Sequence, residues 1–506
     1  MSIESLLRAA DARCTHAFDR AFAPRDNPWR HLGGLAFLAL CTAVVSGVVC
    51  YALFDTSVDG AYRSGVRLQE DIWMAGRLLR GLHRYAADAF MLLTLLHLLR
   101  EWAHGHFAGV RWFSWLTGIP LIILLWISGM TGLWLLWDER ALFSLSATAE
   151  WLQALPLMPD ELGRNFLTPE GLNDRFFSLL IFVHIGIALL LLAGLWVHVQ
   201  RLSLPRLWPP RFLVVGTLCA LSALALLHPA SSLAPASFHQ QPAVLSLDWF
   251  YQFVHPLAES ATPGWAWAMV IAAITTLCLL PASARPPMPV PARVTLENCN
   301  GCRRCAADCP FDAIRMVPRT DRRSHVLQAA VLADRCASCG ICVGACPSST
   351  PFRRIDDLVS GIELPGAPLE TMRERVRSAA AEPGEFAIVF RCSAFAQDLG
   401  IRKVRVVWID VPCVAMVPPA FVEFALRLGA AGIIVAGCTQ GGCEYRLGDR
   451  WMQERFQGVR EPGLRTTVER DRVALISCGA DSTPIARALL ALPRRAHSAP
   501  QGEIDA

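Results

Sequence analysis

Four histidines in this 506-residue chain form two pairs of one spacing, His83 with His97 and His184 with His198, fourteen residues apart each time. Both pairs lie in strongly apolar stretches, of which Gly81 to Arg100, GLHRYAADAFMLLTLLHLLR, is the first. On an α-helix fourteen residues return to nearly the same face and climb about 21 Å, which puts two imidazoles near opposite edges of a hydrocarbon core about 30 Å thick. A single histidine in such a helix is ordinarily a packing residue, whereas two pairs at one interval read as axial ligands of two bis-histidine haems stacked across a membrane. Gly33 and Gly47, and again Gly118 and Gly132, repeat the same interval on two other apolar stretches. A flat macrocycle needs close backbone approach at its edges, which glycine permits, and plain helix packing is the other reading. Arg80 and Arg100 lie three residues outside the first histidine pair, where they would either meet propionates or snorkel to the interface.

Of eighteen cysteines, eight stand in two runs. The first is Cys299, Cys302, Cys305, Cys309 and Pro310; the second is Cys336, Cys339, Cys342, Cys346 and Pro347. Both resemble the C-x-x-C-x-x-C-x-x-x-C-P run of bacterial two-cluster ferredoxins, in which the fourth cysteine ligates the other cluster. The resemblance implies two 4Fe-4S clusters, one held by Cys299, Cys302, Cys305 and Cys346, the other by Cys336, Cys339, Cys342 and Cys309. Two zinc sites would leave the four-cysteine run and its proline unexplained. Metal ligation on this scale argues for a reducing compartment over disulfides.

The elements that must position these groups follow from hydropathy. Six spans are expected, at 31–54, 82–102, 112–137, 176–200, 212–229 and 264–283. Arg8, Arg13, Arg20, Arg25 and Arg30 precede the first, and Arg201, Arg206 and Arg211 lie between the fourth and fifth. The positive-inside rule then puts both termini in the cytoplasm, although Arg63, Arg67 and Arg77 oppose it. In that topology His83 meets His184 near the outer side and His97 meets His198 near the cytoplasmic side. Residues 1–30 read as an amphipathic leader at the interface, not a signal peptide. A net charge of +4, spread out rather than clustered, leaves no nucleic-acid footprint.

Residues 28–200 resemble cytochrome b of the cytochrome bc and bf complexes, and the two following spans resemble subunit IV of the bf type. The resemblance implies a homodimer and a quinone site in the loop between the fifth and sixth spans. There this chain reads Leu247, Asp248, Trp249, Phe250, Tyr251. Asp248 and Tyr251 are the candidate catalytic residues, a carboxylate beside aromatics able to accept a quinol proton. An interfacial aromatic belt with a solvated aspartate is the alternative.

From residue 385 short apolar strands alternate with helices, the pattern of an α/β domain with a parallel sheet. Cys392, Cys413, Cys438 and Cys478 each end a strand and Cys443 follows Cys438, so all five gather at the carboxyl edge where open α/β folds keep their sites. No GxGxxG or P-loop follows any strand. This domain is similar to the small iron-sulfur subunit of methyl-viologen-reducing hydrogenases. The resemblance implies a 2Fe-2S cluster on Cys392, Cys413, Cys438 and Cys443, with Cys478 to spare.

The expected chain is therefore multidomain. A leader (1–30) precedes a dihaem four-helix bundle (31–205), two further spans with a quinone loop (206–284), an α+β two-cluster ferredoxin (292–352), a linker (353–384) and an α/β domain (385–495). The expected function is that of a multi-pass subunit of the inner membrane with its iron-sulfur domains in the cytoplasm. Through two b haems, two 4Fe-4S clusters and one 2Fe-2S cluster it would connect quinone with a soluble flavoprotein. The competing reading is a membrane anchor and docking subunit for hydrogenase subunits.

Overall fold

The computed structural model describes residues 3–70, 73–155, 173–205, 207–239, 244–248, 250–260, 262–283, 290–321, 323, 325–353, 356–392, 405–438, 443–477 and 483–492. Trp249 and Cys478 lie outside them. The chain divides into two compact units, one of residues 1–200 and 205–285, the other of residues 201–204 and 286–506.

The first unit is helical. Its elements are α1 (Ile3–Ala21), α2 (Leu32–Ala52), α3 (Val58–Glu70), α4 (Trp73–Ala103), α5 (Trp112–Trp134), α6 (Glu139–Gln153), α7 (Asp174–His198), α8 (Arg211–Leu227), α9 (Val254–Ser260) and α10 (Pro263–Ser283). Among the described residues four helical stretches are long and apolar enough to cross a membrane: 28–52, 109–134, 174–198 and 263–283. The other two expected spans differ for stated reasons. Helix α4 is 31 residues long, about 46 Å at 1.5 Å per residue, but carries Arg77, Arg80, Arg84, Asp88, Arg100 and Glu101. Helix α8 is apolar but has only 17 residues. Large apolar side chains stand outward on these helices, among them Phe182, Trp196, Phe212 and Trp265, as lipid-facing surfaces do and water-facing ones do not.

The stretch read as a leader forms α1 and is pinned to α4. Asp11 lies 3.4 Å from Arg100 and 3.1 Å from His104, and accepts from Trp29 Nε1 at 2.8 Å. At the other end of the bundle, Asp138 caps α6 through Ala141 N at 2.9 Å and accepts from Leu233 N at 3.0 Å. Tyr62 donates to Leu233 O at 2.9 Å. Helices α3 and α6 and the strap after α8 thus make a hydrogen-bonded layer that hydropathy alone did not show.

In the second unit, β1 (Arg293–Val294) pairs antiparallel with β4 (Ile362–Glu363), and β2 (Ile314–Pro318) with β3 (Leu327–Val331). Two short helices, α11 (Arg304–Asp308) and α12 (Ile341–Gly344), complete the cysteine-run fold. The stretch expected as a linker, 353–384, is built into the core instead. It contributes β4 and α13 (Leu369–Ala381), whose Leu369, Met372, Val376 and Ala379 are buried, with Arg373 anchored on Asp356 O at 2.7 Å. Four parallel strands follow, β5 (Phe386–Cys392), β6 (Arg405–Val411), β7 (Gly432–Gly437) and β8 (Val473–Ser477), in the order β6-β5-β7-β8. Helix α14 (Pro419–Arg427) connects β6 to β7, and α15 (Gly448–Phe456) connects β7 to β8.

The ferredoxin-like and α/β parts share one apolar core, and a buried cation locks it. Arg455, fully buried, pairs with Asp308 and donates to Ala415 O at 2.6 Å and Ile341 O at 3.2 Å. Arg460 joins Asp308 at 2.6 Å while lying 3.5 Å over the Trp451 ring. Glycine is required where the parts meet: a Cβ at Gly344 would collide with Ala415 O and Arg455, and one at Gly340 would stand 2.6 Å from Met416 Sδ. Asp308→Ala strands a buried guanidinium, a change that typically costs about 3–5 kcal/mol. We expect it, and Gly344→Ala by collision, to lower the unfolding temperature of the detergent-purified chain and expose the second unit to protease. Gly366→Ala, which meets nothing, should leave both unchanged.

Candidate functional site

The four histidines take two levels in the helical bundle. The His83 and His184 rings stand with centroids 6.2 Å apart and planes at 75°. A centroid separation of this size is what two imidazoles sharing one metal through bonds of about 2.0–2.1 Å would show. His97 and His198 lie within electrostatic reach of each other at the second level.

Each imidazole is seated against one of the four glycines singled out above. A Cβ at Gly47 would lie 2.8 Å from His83 Cε1, at Gly132 2.9 Å from His184 Cε1, at Gly118 3.3 Å from His198 Cε1, and at Gly33 3.5 Å from His97 Cε1. The glycines therefore clear the imidazole rings. This seating fixes the tautomer. Nδ1 of His83 lies 2.8 Å from Ala43 O and that of His184 3.0 Å from Ser128 O, so each Nδ1 carries the hydrogen and Nε2 keeps its lone pair for a metal. Hydroxyls immediately before three of the glycines add contacts: Ser46 to His83 at 3.5 Å, Thr131 to His184 at 3.2 Å and Thr117 to His198 at 3.1 Å. His97 has instead Glu101, 3.8 Å from its Nδ1. A Ser-Gly or Thr-Gly pair at the glycine positions was the sequence signal for this second layer.

Arg80 donates to Gly65 O at 2.8 Å and to Ser232 Oγ at 2.8 Å, and Arg100 lies against Asp11. Both are held on the protein. Asp248 is buried; its Oδ1 accepts from Phe250 N at 3.0 Å and Tyr251 N at 2.8 Å, and its Oδ2 pairs with Arg84. Tyr251 is fully buried, donates its hydroxyl to Ala87 O at 2.9 Å, and sits against Gly129. These two residues thus clip the loop before α9 onto α4. Arg84, which also lies 3.3 Å from Asp88, is the partner that sequence reading missed.

The eight cysteines of the two runs line two separate cavities. One is bounded by Cys299, Cys302, Cys305 and Cys346, the other by Cys309, Cys336, Cys339 and Cys342, so the fourth cysteine of each run does cross to the other set. Burial, with the neighbouring Cys346, Cys302 and Cys299, pushes the Cys305 thiol up to about 12. Such a crowd of thiols is relieved by ligation, which supplies the positive charge that thiolates need. Backbone N–H groups already point at the sulfurs, Ala313 N to Cys309 Sγ at 3.2 Å and Ala292 N to Cys336 Sγ at 3.5 Å.

A third thiol set stands at the carboxyl edge of the parallel sheet, where β5 lies between β6 and β7. Cys392 ends β5, Cys413 follows β6, Cys438 follows β7, and Cys443 precedes α15. Cys392 accepts from Cys413 and Cys438, which holds it down at about 4, and the partners are pushed up. Cys443 closes the ring through Cys413 and Cys438. Among the described residues no group of three or more His, Cys, Asp or Glu converges where one metal ion could sit; the cysteine runs surround volumes, as the two cavities show. The three thiol sets are in series. Cys342 is within electrostatic reach of Cys305 of the first set, and Cys339 within reach of Cys443 of the third.

Residues 19–203 match the cytochrome b/b6/petB family, residues 298–350 the 4Fe-4S dicluster domain, and residues 394–490 the delta subunit of methyl-viologen-reducing hydrogenase. The chain is 28% identical over 161 residues to the menaquinol:cytochrome c reductase cytochrome b subunit of Bacillus subtilis (strain 168), covering 30% of this chain and 69% of that protein. It is 26% identical over 180 residues to the Geobacillus thermodenitrificans subunit of the same description, 33% of this chain and 77% of that one. With cytochrome b of Solanum tuberosum it shares 28% identity over 187 residues, 36% of this chain and 47% of the relative, so it spans about half the length of the plant cytochromes b it matches. A chain described as "Hyperthermophilic respiratory Complex III" superposes with a TM-score of 0.43 and 18% identity, covering 51% of this chain and 76% of that one.

The four glycine clearances rank a set of substitutions. Gly47→Ala and Gly132→Ala, whose methyls would press on His83 and His184, should lower bound haem relative to wild type, read by visible difference spectra. Gly33→Ala, at ordinary contact distance, should retain the wild-type haem content.

Proposed function

We propose, on the premise that this chain is an integral membrane fusion of a cytochrome b segment, a 4Fe-4S dicluster domain and a domain of the hydrogenase delta-subunit type, that it is the membrane electron-transfer subunit of a quinone-linked oxidoreductase. The observation that carries this is the pairing of His83 with His184 and His97 with His198 at two levels of one bundle, each ring seated on a glycine. A b-type haem bound at each level supplies a one-electron couple within the membrane. The chain's own work is to hold Nε2 of each imidazole free by engaging Nδ1, and to keep the four helices close enough for both rings of a pair to reach one metal.

In this reading six helices span the bilayer, α4 and α8 completing the count, with both termini and the second unit on the cytoplasmic side. The charges of α4 support this in kind: Arg84 is neutralised by Asp88 and Asp248, and Arg100 by Asp11, as buried membrane charges must be. The three thiol sets would hold two 4Fe-4S clusters and one 2Fe-2S cluster, ordered as their cysteines are. A soluble flavoprotein is the proposed partner at the far end and the quinone pool at the membrane end, in a complex of dimeric form. Docking to a hydrogenase is the second reading, favoured by the match over residues 394–490.

Isolation of the complex in mild detergent tests the proposal through its composition. Low-spin b haem at two per chain is expected, removed at one level only by His97→Ala. Non-haem iron should exceed eight atoms per chain, and Cys438→Ser should abolish one signal of 2Fe-2S type while leaving the cubane signals. Iron that stays at eight, with a spectroscopically silent Cys438→Ser, would leave the α/β domain a docking fold; absence of haem would end the proposal.

A further inference from the structure

Cys346 closes the second cysteine run but lines the cavity of the first set, with Cys299, Cys302 and Cys305. A hydroxyl reaches its sulfur: Ser348 Oγ lies 3.0 Å from Cys346 Sγ. The direction of that contact follows from what else the serine does. Ser348 Oγ accepts from Gly361 N at 2.7 Å, which occupies an oxygen lone pair and leaves the single hydrogen to donate. Among the described residues the sulfur is the one other polar partner of this hydroxyl. Gly361 is itself fixed. Its carbonyl accepts from Thr295 N at 3.2 Å, and the next residue, Ile362, pairs with Val294 of β1. A Cβ on Gly361 would stand 2.7 Å from Asn298 O and 3.1 Å from Cys299 Cα. The pairing of β1 with β4 thus locates the Ser348 oxygen, beside the segment that enters the first set at Cys299.

We propose that Ser348 raises the reduction potential of the 4Fe-4S cluster in the first thiol set by donating a hydrogen bond to Cys346 Sγ. The inference rests on the reading of the two cysteine runs as two 4Fe-4S sites and assigns one of them its positioning residue. A ligating cysteine is a thiolate, an acceptor with no hydrogen of its own. An added electron increases the negative charge on the cluster's sulfurs, so a donor there stabilises the reduced form more than the oxidised one. The second set is built differently. Cys309 and Cys336 receive backbone donors, Ala313 N at 3.2 Å and Ala292 N at 3.5 Å. Among the described residues no side-chain hydroxyl is hydrogen-bonded to the four sulfurs of that set. Two sites made from near-identical runs are thereby unequal, and a residue of the second run acts on the first set because Cys346 crosses to it. Closeness in sequence does not explain the contact: the neighbouring Ser349 is buried, yet its hydroxyl has no partner among the described residues.

The test measures midpoint potentials in the full chain in mild detergent, by electron paramagnetic resonance of samples poised at stepped potentials. Cys302→Ala, by removing one cubane signal, identifies the signal of the first set. Ser348→Ala should lower the midpoint of that signal. Its reduced-to-oxidised ratio at a fixed potential should fall about threefold or more, which is about 28 mV at 59 mV per tenfold for one electron. The other cubane signal and the haem spectra should not move. Ser348→Thr, which keeps the hydroxyl, should keep the wild-type midpoint, and Ser349→Ala should leave it unchanged. A wild-type or raised midpoint in Ser348→Ala, or an equal shift of both cubanes, overturns the assignment and leaves the two-cluster reading standing. If Ser348→Ala does not assemble the first cluster, Ser348→Val takes its place against Ser348→Thr, the two being alike in shape. Loss of the cluster there too makes Ser348 a structural residue and overturns the tuning role. Absence of any cubane signal from the wild type overturns both.

Discussion

The helical unit depends on how closely two helix backbones can approach while an imidazole stands between them. At Gly47 and Gly132 there is no space for a methyl group beside His83 and His184. The imidazole then reaches the carbonyl four residues earlier, at Ala43 and Ser128. One small residue thus sets helix spacing, ring orientation and tautomer together, because the same contact that forbids a Cβ puts Nδ1 at hydrogen-bond distance. The pairs α2 with α4 and α5 with α7 repeat this arrangement, so the two halves of the bundle present their histidines to one another.

The second unit solves a different problem, that of keeping three thiol sets close without letting the thiols repel or oxidise at random. Its answer is a shared core. Arg455 holds Asp308, Ile341 and Ala415 at once, tying both short helices of the ferredoxin-like part to the turn that follows β6. Since Cys309 follows Asp308 and Cys342 follows Ile341, this one buried cation sets the distance between the second thiol set and the third. A buried ion pair is seldom a large net source of stability, but it is demanding in geometry, which suits a place where relative position matters more than strength.

Charges inside the helical unit follow the same economy. Arg84, Asp88 and Asp248 neutralise each other, and Arg100 is matched by Asp11 of the leader. The leader is therefore part of the bundle, closing the end of α4 that carries His97.

The sequence by itself determined which histidines and cysteines come together and the order of the domains, because both are written as intervals. Fourteen residues on a helix must return to one face, and two C-x-x-C-x-x-C-x-x-x-C-P runs bring their cysteines together locally. Parallel strands that each end in cysteine must gather them at one edge. Only the tertiary structure decided what each glycine clears, since the partner ring comes from a helix distant in the chain. It alone turned residues 353–384 from an expected linker into β4 and α13, whose polar surface hides a buried face. It also clipped Asp248 and Tyr251 onto α4 through Arg84 and Ala87, contacts about 160 residues away in sequence that no local pattern encodes. Periodicity reports which face a residue occupies; what it meets there depends on chain segments that periodicity does not relate.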